Sequence, residues 1–150
     1  MDVVIGSDHA GVQLKKEILE FLVSAGHNAI DCGTYNQDSV DYPDIAEKVA
    51  LQVLQKKIMG ILLCGTGIGI SIAANKIPGI RAALCNEPFA ARLAREHNDA
   101  NILAIGSRIT GSGLAEEIVK TFLKSSFQAG RHQRRIEKIT ALENKNRERV

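Results

Sequence analysis

The sequence has few aromatic residues and almost no net charge, and both shortages restrict what the protein can be. Its 150 residues include four Phe, two Tyr and no Trp, so aliphatic side chains must fill the core. Hydrophobic residues make up 45% and charged residues 24%, which is typical of one globular domain and excludes disordered or collagen-like structure. With a formal charge of only +2 and few aromatics to stack on bases, no nucleic-acid partner is expected.

Cysteine is also scarce, and its spacing excludes the usual structural uses of the residue. Cys32, Cys64 and Cys85 are odd in number, lie far apart and form no C-x-x-C pair. Neither a disulfide framework nor a zinc site is indicated, and a reducing compartment fits best. The first residues lack the basic and long apolar regions of a signal peptide, so we expect a cytoplasmic protein.

One stretch is long and uncharged, from Ile58 to Asn75, but it does not predict a membrane span. Glycines at positions 60, 65, 67 and 69 interrupt it. A buried strand, a glycine loop and the start of a helix explain this pattern better than a span, so no membrane association is expected.

Short apolar runs alternate with helical patterns along the whole chain. Between the runs, hydrophobic residues recur every three or four positions, which indicates amphipathic helices. Asn86 is expected to cap one of them. The alternation predicts a single α/β domain over residues 1–150, a doubly wound, Rossmann-like three-layer sandwich with a five-stranded parallel sheet. The predicted strands are Val3 to Gly6, Asn28 to Cys32, Met59 to Cys64, Ile80 to Leu84 and Ile102 to Ile105.

In open α/β sheets, ligands bind beyond the carboxyl ends of the strands, and polar residues stand at several of these positions. Asp8 and His9 follow the first predicted strand, and Arg108 follows the fifth. The third strand is followed by a glycine-rich turn before a helix, Cys64-Gly65-Thr66-Gly67-Ile68-Gly69.

The glycine-rich turn predicts an anion site, because it offers backbone N–H groups at a helix start. It is neither a Walker A loop nor a dinucleotide fingerprint, since Ile70 stands at the third glycine position of G-x-G-x-x-G. Such a loop would favour the thiolate form of Cys64, which suits a base or nucleophile. On position alone, a small buried hydrophobic residue is an equally good interpretation of Cys64.

Two further groups of residues could contact an anion. His97, beside Asn98 near the end of a predicted helix, could serve in acid/base chemistry, although a lone histidine is more often structural. Residues 131–150 form a predicted extra C-terminal helix with seven Lys/Arg against three Asp/Glu. There Arg131 and Arg135 share one helical face and could clamp a phosphate, with a solvated basic helix or nucleic-acid binding as alternatives.

In this order, the motifs resemble the ribose-5-phosphate isomerase B family, which also includes the galactose-6-phosphate isomerase subunits. The resemblance covers essentially the whole chain. Besides the glycine-rich turn, it rests on Gly6-Ser7-Asp8-His9-Ala10-Gly11, Asp41-Tyr42-Pro43-Asp44, Arg95-Glu96-His97-Asn98, Gly106-Ser107-Arg108 and Arg131-His132-Gln133-Arg134-Arg135.

The resemblance implies an aldose–ketose isomerase that interconverts D-ribose 5-phosphate and D-ribulose 5-phosphate in the pentose phosphate pathway. Cys64 would move the proton between C2 and C1 through a cis-enediolate, and His97 would help to open the sugar ring. Thr66 and the backbone amides from Gly65 to Gly69, including those of Gly67 and Ile68, would hold the developing oxyanion. The alternative substrate is a six-carbon phosphate, allose 6-phosphate or galactose 6-phosphate.

By the same resemblance, Asp8, Tyr42 and Asn98 would contact the sugar. The phosphate would be bound by Arg131, Arg135, His9 and Arg108. No metal ion or cofactor is implied. Because the family shares its site between two chains, a homodimer or a dimer of dimers is expected.

Two competing hypotheses for the function are a non-catalytic nucleotide or sugar-phosphate binding module and a thiol hydrolase that uses Cys64 and His97.

Overall fold

Five β-strands alternate with five α-helices along residues 1–149, the part of the chain that the computed structural model describes, and a sixth helix follows the fifth directly. Val150, the last residue of the predicted C-terminal helical segment, lies outside the described residues. The strands are β1 (Asp2–Ser7), β2 (Asn28–Asp31), β3 (Met59–Cys64), β4 (Ala82–Leu84) and β5 (Ile102–Gly106). A short 3₁₀ turn (His9–Gly11) precedes the helices α1 (Val12–Ser24), α2 (Tyr42–Lys56), α3 (Ile68–Ala74), α4 (Pro88–Asn98), α5 (Ser112–Lys124) and α6 (Arg131–Glu148).

The strands form one sheet in the order β2-β1-β3-β5-β4, and every pairing is parallel. At the ends of the central strands, Ser7 pairs with Leu63 and Cys64 pairs with Gly106. The carboxyl ends of β1, β3 and β5 therefore meet along one side of the sheet, which we call the carboxyl edge. The opposite side, where the strands begin, is the amino edge.

Helices cover both faces of the sheet, which confirms the three-layer sandwich. Successive side chains of a strand point to opposite faces, so each central strand feeds two separate apolar clusters. Ile5 and Leu63 pack with α1, α4 and α5 on one face. Val4 and Leu62 pack with α2 and α3 on the other. Among the described residues, no helix has the length and apolar character needed to cross a membrane.

Apart from strand ends that shift by one residue, two local predictions differ from the structure. Asn86 does not cap α4; instead the carboxylate of Glu87 accepts hydrogen bonds from the backbone N–H groups of Phe89 and Ala90, at 2.7 and 2.6 Å. Glu87 has the extended backbone that lets its longer side chain reach these amides. Strand β4 starts at Ala82 rather than Ile80, because the N–H of Ile80 is held in a turn by the carbonyl of Ile77.

Candidate active site

The glycine-rich turn between β3 and α3 is fixed by its backbone. Gly67 has a φ of +76°, a left-handed conformation that favours glycine. A Cβ atom at this position would lie 2.5 Å from Leu84 Cδ1 and 2.9 Å from the carbonyl carbon of Ile105. Any side chain at Gly67 would therefore both strain the backbone and collide with its neighbours.

Cys64 lies directly under this turn, at the end of β3. Its residue surface is only 5% exposed, and its Sγ accepts a hydrogen bond from the N–H of Gly67 at 3.1 Å. A backbone N–H aimed at a sulfur atom stabilises negative charge there. On the outer side of the turn, Thr66 is exposed and its Oγ1 accepts from the N–H of Ile68 at 3.3 Å.

The loop after β5 supports the turn from the side. The N–H of Ser107 donates to the carbonyl of Cys64 at 2.8 Å, and the N–H of Arg108 donates to that of Gly65 at 2.9 Å. Arg108 packs its guanidinium against Gly65, where a Cβ would lie 3.2 Å from Nη1. Because Gly106 approaches the carbonyl of Thr66 so closely that a Cβ would lie 2.5 Å from it, the two loops form one rigid unit.

Three more predicted residues lie on this edge. Asp8 Oδ1 accepts from the N–H groups of the 3₁₀ turn that follows β1, which leaves its second oxygen outside that cap. The Nδ1 atom of His9 accepts from the N–H of Val40 at 3.2 Å, so the neutral ring carries its proton on Nε2. Tyr42 begins α2 and covers Gly69, where a Cβ would lie 2.6 Å from the tyrosine Cζ.

His97 and Asn98 lie elsewhere, at the amino edge. They end α4, and the chain enters β5 only four residues after Asn98. Since β5 has five residues and a strand rises about 3.3 Å per residue, roughly 13 Å of strand separates the two edges. One chain therefore does not bring His97 next to Cys64.

The start of α6 joins His97 at the amino edge. The ring of His97 stacks on that of His132, with centroids 4.1 Å apart and planes 13° apart. The carbonyl of Glu96 also accepts from the N–H of Gln128, just before α6. Arg131 and Arg135 are consequently placed on the same side of the sheet as His97.

This edge is rich in unpaired positive charge. Arg131 and Arg135 are exposed and make no salt bridge within residues 1–149. His132 between them is only 7% exposed, and burial lowers its pKa, with His97 and the two arginines adding to the effect. His132 was given no role from the sequence; its position between two arginines that share a helical face was the available signal.

The other two cysteines have unreactive surroundings. Burial, followed by the charge of Glu87, raises the pKa of Cys85 to about 11. Burial and Asp31 also raise the pKa of Cys32. Both thiols therefore stay protonated at neutral pH. In residues 1–149 no cluster of three or more His, Cys, Asp or Glu is arranged to hold a metal ion.

Comparisons with known proteins agree with the motifs. A family model described as ribose/galactose isomerase matches residues 3–139. The chain belongs to this family. It is 51% identical to ribose-5-phosphate isomerase B of Escherichia coli K12 over 142 residues, 94% of this chain and 95% of the relative. The resemblance noted from the sequence is thus confirmed.

Solved structures of the isomerase family share the fold over nearly the whole chain. Ribose-5-phosphate isomerase B of Clostridium thermocellum has a TM-score of 0.95 at 55% identity, covering 97% of this chain and 99% of that one. The enzyme of Mycoplasma genitalium, solved with bound ribulose 5-phosphate, has a TM-score of 0.91 at 44% identity, covering 95% and 96%. The parallel sheet and its two layers of helices are therefore those of the family.

Proposed function

We propose that this protein interconverts D-ribose 5-phosphate and D-ribulose 5-phosphate, as a step of the pentose phosphate pathway. The observation that carries the proposal is the sulfur of Cys64, held at the end of β3 under the N–H of Gly67. The relatives named above are ribose-5-phosphate isomerases, and one of them binds ribulose 5-phosphate. This favours a five-carbon substrate over allose 6-phosphate or galactose 6-phosphate.

At the carboxyl edge, Cys64 acts as the base. Its thiolate removes the proton from C2 of the open aldose, the C–H electrons form a C1–C2 double bond, and the C1 oxygen takes up the displaced charge. A proton passes from the C2 hydroxyl to the C1 oxygen, and the same group then returns the proton to C1 as the C2 oxygen becomes the carbonyl of the ketose. The amides from Gly65 to Gly69, with Thr66, stabilise the intermediate cis-enediolate as an oxyanion hole does. Asp8 and Tyr42 contact the sugar hydroxyls.

At the amino edge, Arg131 and Arg135 bind the phosphate, and His97 opens the ring with Asn98 near the sugar. Exposed guanidinium groups four residues apart on α6 suit bidentate binding of a phosphate. His9 and Arg108 reach the same phosphate from the carboxyl edge. These groups supply the positive charge, so the proposed reaction needs no metal ion or cofactor.

A complete site needs the amino edge of one chain against the carboxyl edge of another. The separation of Cys64 and His97 within a chain supports a homodimer, or a dimer of dimers, with shared sites. Ile139 and Leu142 on α6 are 43% and 62% exposed and offer apolar surface for packing against a partner. Three free cysteines suit a reducing compartment, which supports a cytoplasmic location.

The decisive experiment is an assay of ribose 5-phosphate isomerisation in the presence of EDTA. Wild type should remain active, and Cys64→Ala should lose about 10²- to 10⁴-fold in kcat, the range for a general base. Binding of inorganic phosphate by calorimetry should persist in that variant. The matched control is Cys32→Ala, which removes a half-buried thiol outside the turn.

Two outcomes would change the proposal. Full turnover in Cys64→Ala removes Cys64 as the base while leaving the activity in place. A wild-type protein that binds phosphate compounds but isomerises neither five-carbon nor six-carbon phosphates is a binding module instead. Comparison of kcat/KM on ribose, allose and galactose phosphates decides the substrate.

A further inference from the structure

Arg81, just before β4, makes an unusual set of contacts with the end of α4. Its Nε donates to the carbonyls of Asn98 and Asp99, at 2.9 and 3.1 Å. Its Nη2 donates to the Asp99 carbonyl at 2.9 Å and to the Asp99 carboxylate at 3.0 Å. The last carbonyls of a helix have no partners within the helix, so Arg81 satisfies groups that α4 leaves open.

A second arginine holds the same aspartate from inside the helix. Arg95 Nη1 donates to Asp99 Oδ1 at 2.9 Å and to the carbonyl of Ala100 at 2.6 Å. Arg95 is mostly buried, with its guanidinium over the ring of Phe122 at 5.8 Å. Both oxygens of one carboxylate are thus bound by two different guanidinium groups. We call Arg81, Arg95 and Asp99 the arginine clasp.

The clasp also surrounds a residue with an uncommon backbone conformation. Asp99 has a φ of +44°, in the left-handed region that L residues rarely adopt. Residues in such conformations are kept there by surroundings that over-determine them. At Asp99 this conformation ends α4 and turns the chain toward β5, directly after Asn98 and two residues after His97.

We propose that Arg81, acting through the clasp, is a positioning residue for His97. It does not touch the substrate; it holds the last turn of α4 so that the His97 ring stays stacked on His132. The inference rests on the proposed function, because it assigns the clasp to the ring-opening step that His97 performs.

Ring opening can be separated chemically from proton transfer. In ribose 5-phosphate, opening takes the proton from the C1 hydroxyl and forms the C1 carbonyl. The bond from C1 to the ring oxygen breaks, and its electrons and a proton go to that oxygen. Ribulose 5-phosphate cannot form the corresponding ring, because its O5 carries the phosphate. Exchange of its C1 protons with solvent deuterium therefore needs Cys64 but no ring opening.

The test compares these two reactions in Arg81→Met, which keeps the length of the stem and removes the guanidinium. Turnover of ribose 5-phosphate should fall about 10- to 100-fold in kcat with KM little changed, the cost of a misplaced catalytic group. Deuterium exchange into ribulose 5-phosphate should stay close to the wild-type rate. Asp99→Asn should show the same split, because asparagine tolerates the left-handed backbone but lacks the charge that both arginines share.

Arg92→Gln is the matched control. Arg92 also lies on α4 and pairs with Glu96 at 3.1 Å, but it is exposed and does not reach the end of the helix. In Arg92→Gln, turnover of ribose 5-phosphate and deuterium exchange into ribulose 5-phosphate should both equal those of wild type. Equal losses of turnover and exchange in Arg81→Met, or no loss of either, would overturn the inference. If Arg81→Met does not fold, Asp99→Asn alone tests the inference, by the same difference between turnover and exchange.

Failure of the proposed function has a different signature, namely a wild-type protein that catalyses neither reaction. The clasp is then tested by NMR alone. The stack at 4.1 Å shifts the ring-proton resonances of His97 through the ring current of His132. In Arg81→Met this shift should be lost, whereas in Arg92→Gln it should remain. Retention of the shift in Arg81→Met contradicts the positioning role.

Discussion

The two edges of the sheet make their contacts with different kinds of chemical group. At the carboxyl edge, glycines and backbone amides make the contacts, as where the N–H of Gly67 meets Cys64 Sγ. At the amino edge, long side chains do so, as where Arg81 binds the carbonyls of Asn98 and Asp99. Backbone dipoles cannot rotate away, which suits stabilisation of a short-lived oxyanion. Side chains at helix ends can reach across to a second chain, which suits binding of its substrate.

The largest effect on activity is expected when one chain of a dimer carries a substitution at the carboxyl edge and the other chain carries one at the amino edge. Cys64→Ala and His97→Gln should each be nearly inactive alone. Mixed dimers formed by co-expression should regain about a quarter of wild-type activity, since random pairing gives one undamaged site in half of the dimers. The measurement is turnover of ribose 5-phosphate by the purified mixture.

The control places both substitutions in the same chain. A Cys64→Ala, His97→Gln double variant mixed with Cys64→Ala contains no undamaged site and should stay inactive. If mixed dimers of the single variants form but regain no activity, the edges do not complement one another across chains, and the shared-site proposal fails.

A smaller effect is expected from the backbone of the carboxyl edge. Gly67→Ala should lower the free energy of unfolding by about 1–3 kcal/mol for the left-handed backbone. Collisions with Leu84 and Ile105 should add roughly another 1–3 kcal/mol. Urea unfolding measures this loss, and Gly113→Ala is the control, because open space surrounds Gly113 in the first turn of α5.

The Gly113 variant should be as stable as wild type or up to about 1 kcal/mol more stable, given the helix preference of alanine over glycine. A Gly67→Ala protein with wild-type stability would show that the turn can relax. The carboxyl edge would then be no more rigid than the amino edge, and the contrast between them would be wrong.

Sequence reasoning predicted the carboxyl edge much better than the amino edge. The first depends on where strands end, which apolar runs reveal, so Asp8, Cys64 and Arg108 were placed by a general rule for parallel sheets. The second depends on contacts between distant segments, such as the stack of His97 on His132. No local pattern encodes such a contact, and the arginine clasp was missed for the same reason.

The fold itself was predictable because each strand and helix carries its own periodicity. All five predicted strands exist, and the errors are local: Asn86 as a cap, and the start of β4 at Ile80. Both errors arose where a local hydrogen bond determines which of two neighbouring residues caps the helix or begins the strand. A longer carboxylate at Glu87 and a turn at Ile77 decided these details.

The smallest expected effect is a pH dependence confined to the amino edge. Burial, with the charges of His97, Arg131 and Arg135, lowers the pKa of His132 from its ordinary 6.5. On acidification the unfolded chain binds a proton at His132 near pH 6.5, whereas the folded chain does not. The stability that neutral His132 contributes is therefore complete above pH 6.5 and is lost as the pH falls toward the lowered pKa of the folded state.

Thermal unfolding between pH 7.5 and about pH 5 measures this loss, within the range where histidines titrate. His132→Gln should show a shallower fall in Tm than wild type, whereas His27→Gln, in the turn before β2, should keep the wild-type slope. Added inorganic phosphate should reduce the loss, because an anion between Arg131 and Arg135 offsets the positive charge that opposes protonation. An unchanged slope in His132→Gln would mean that the arginines do not act on this ring, and the amino edge would then be as insensitive to pH as a backbone site.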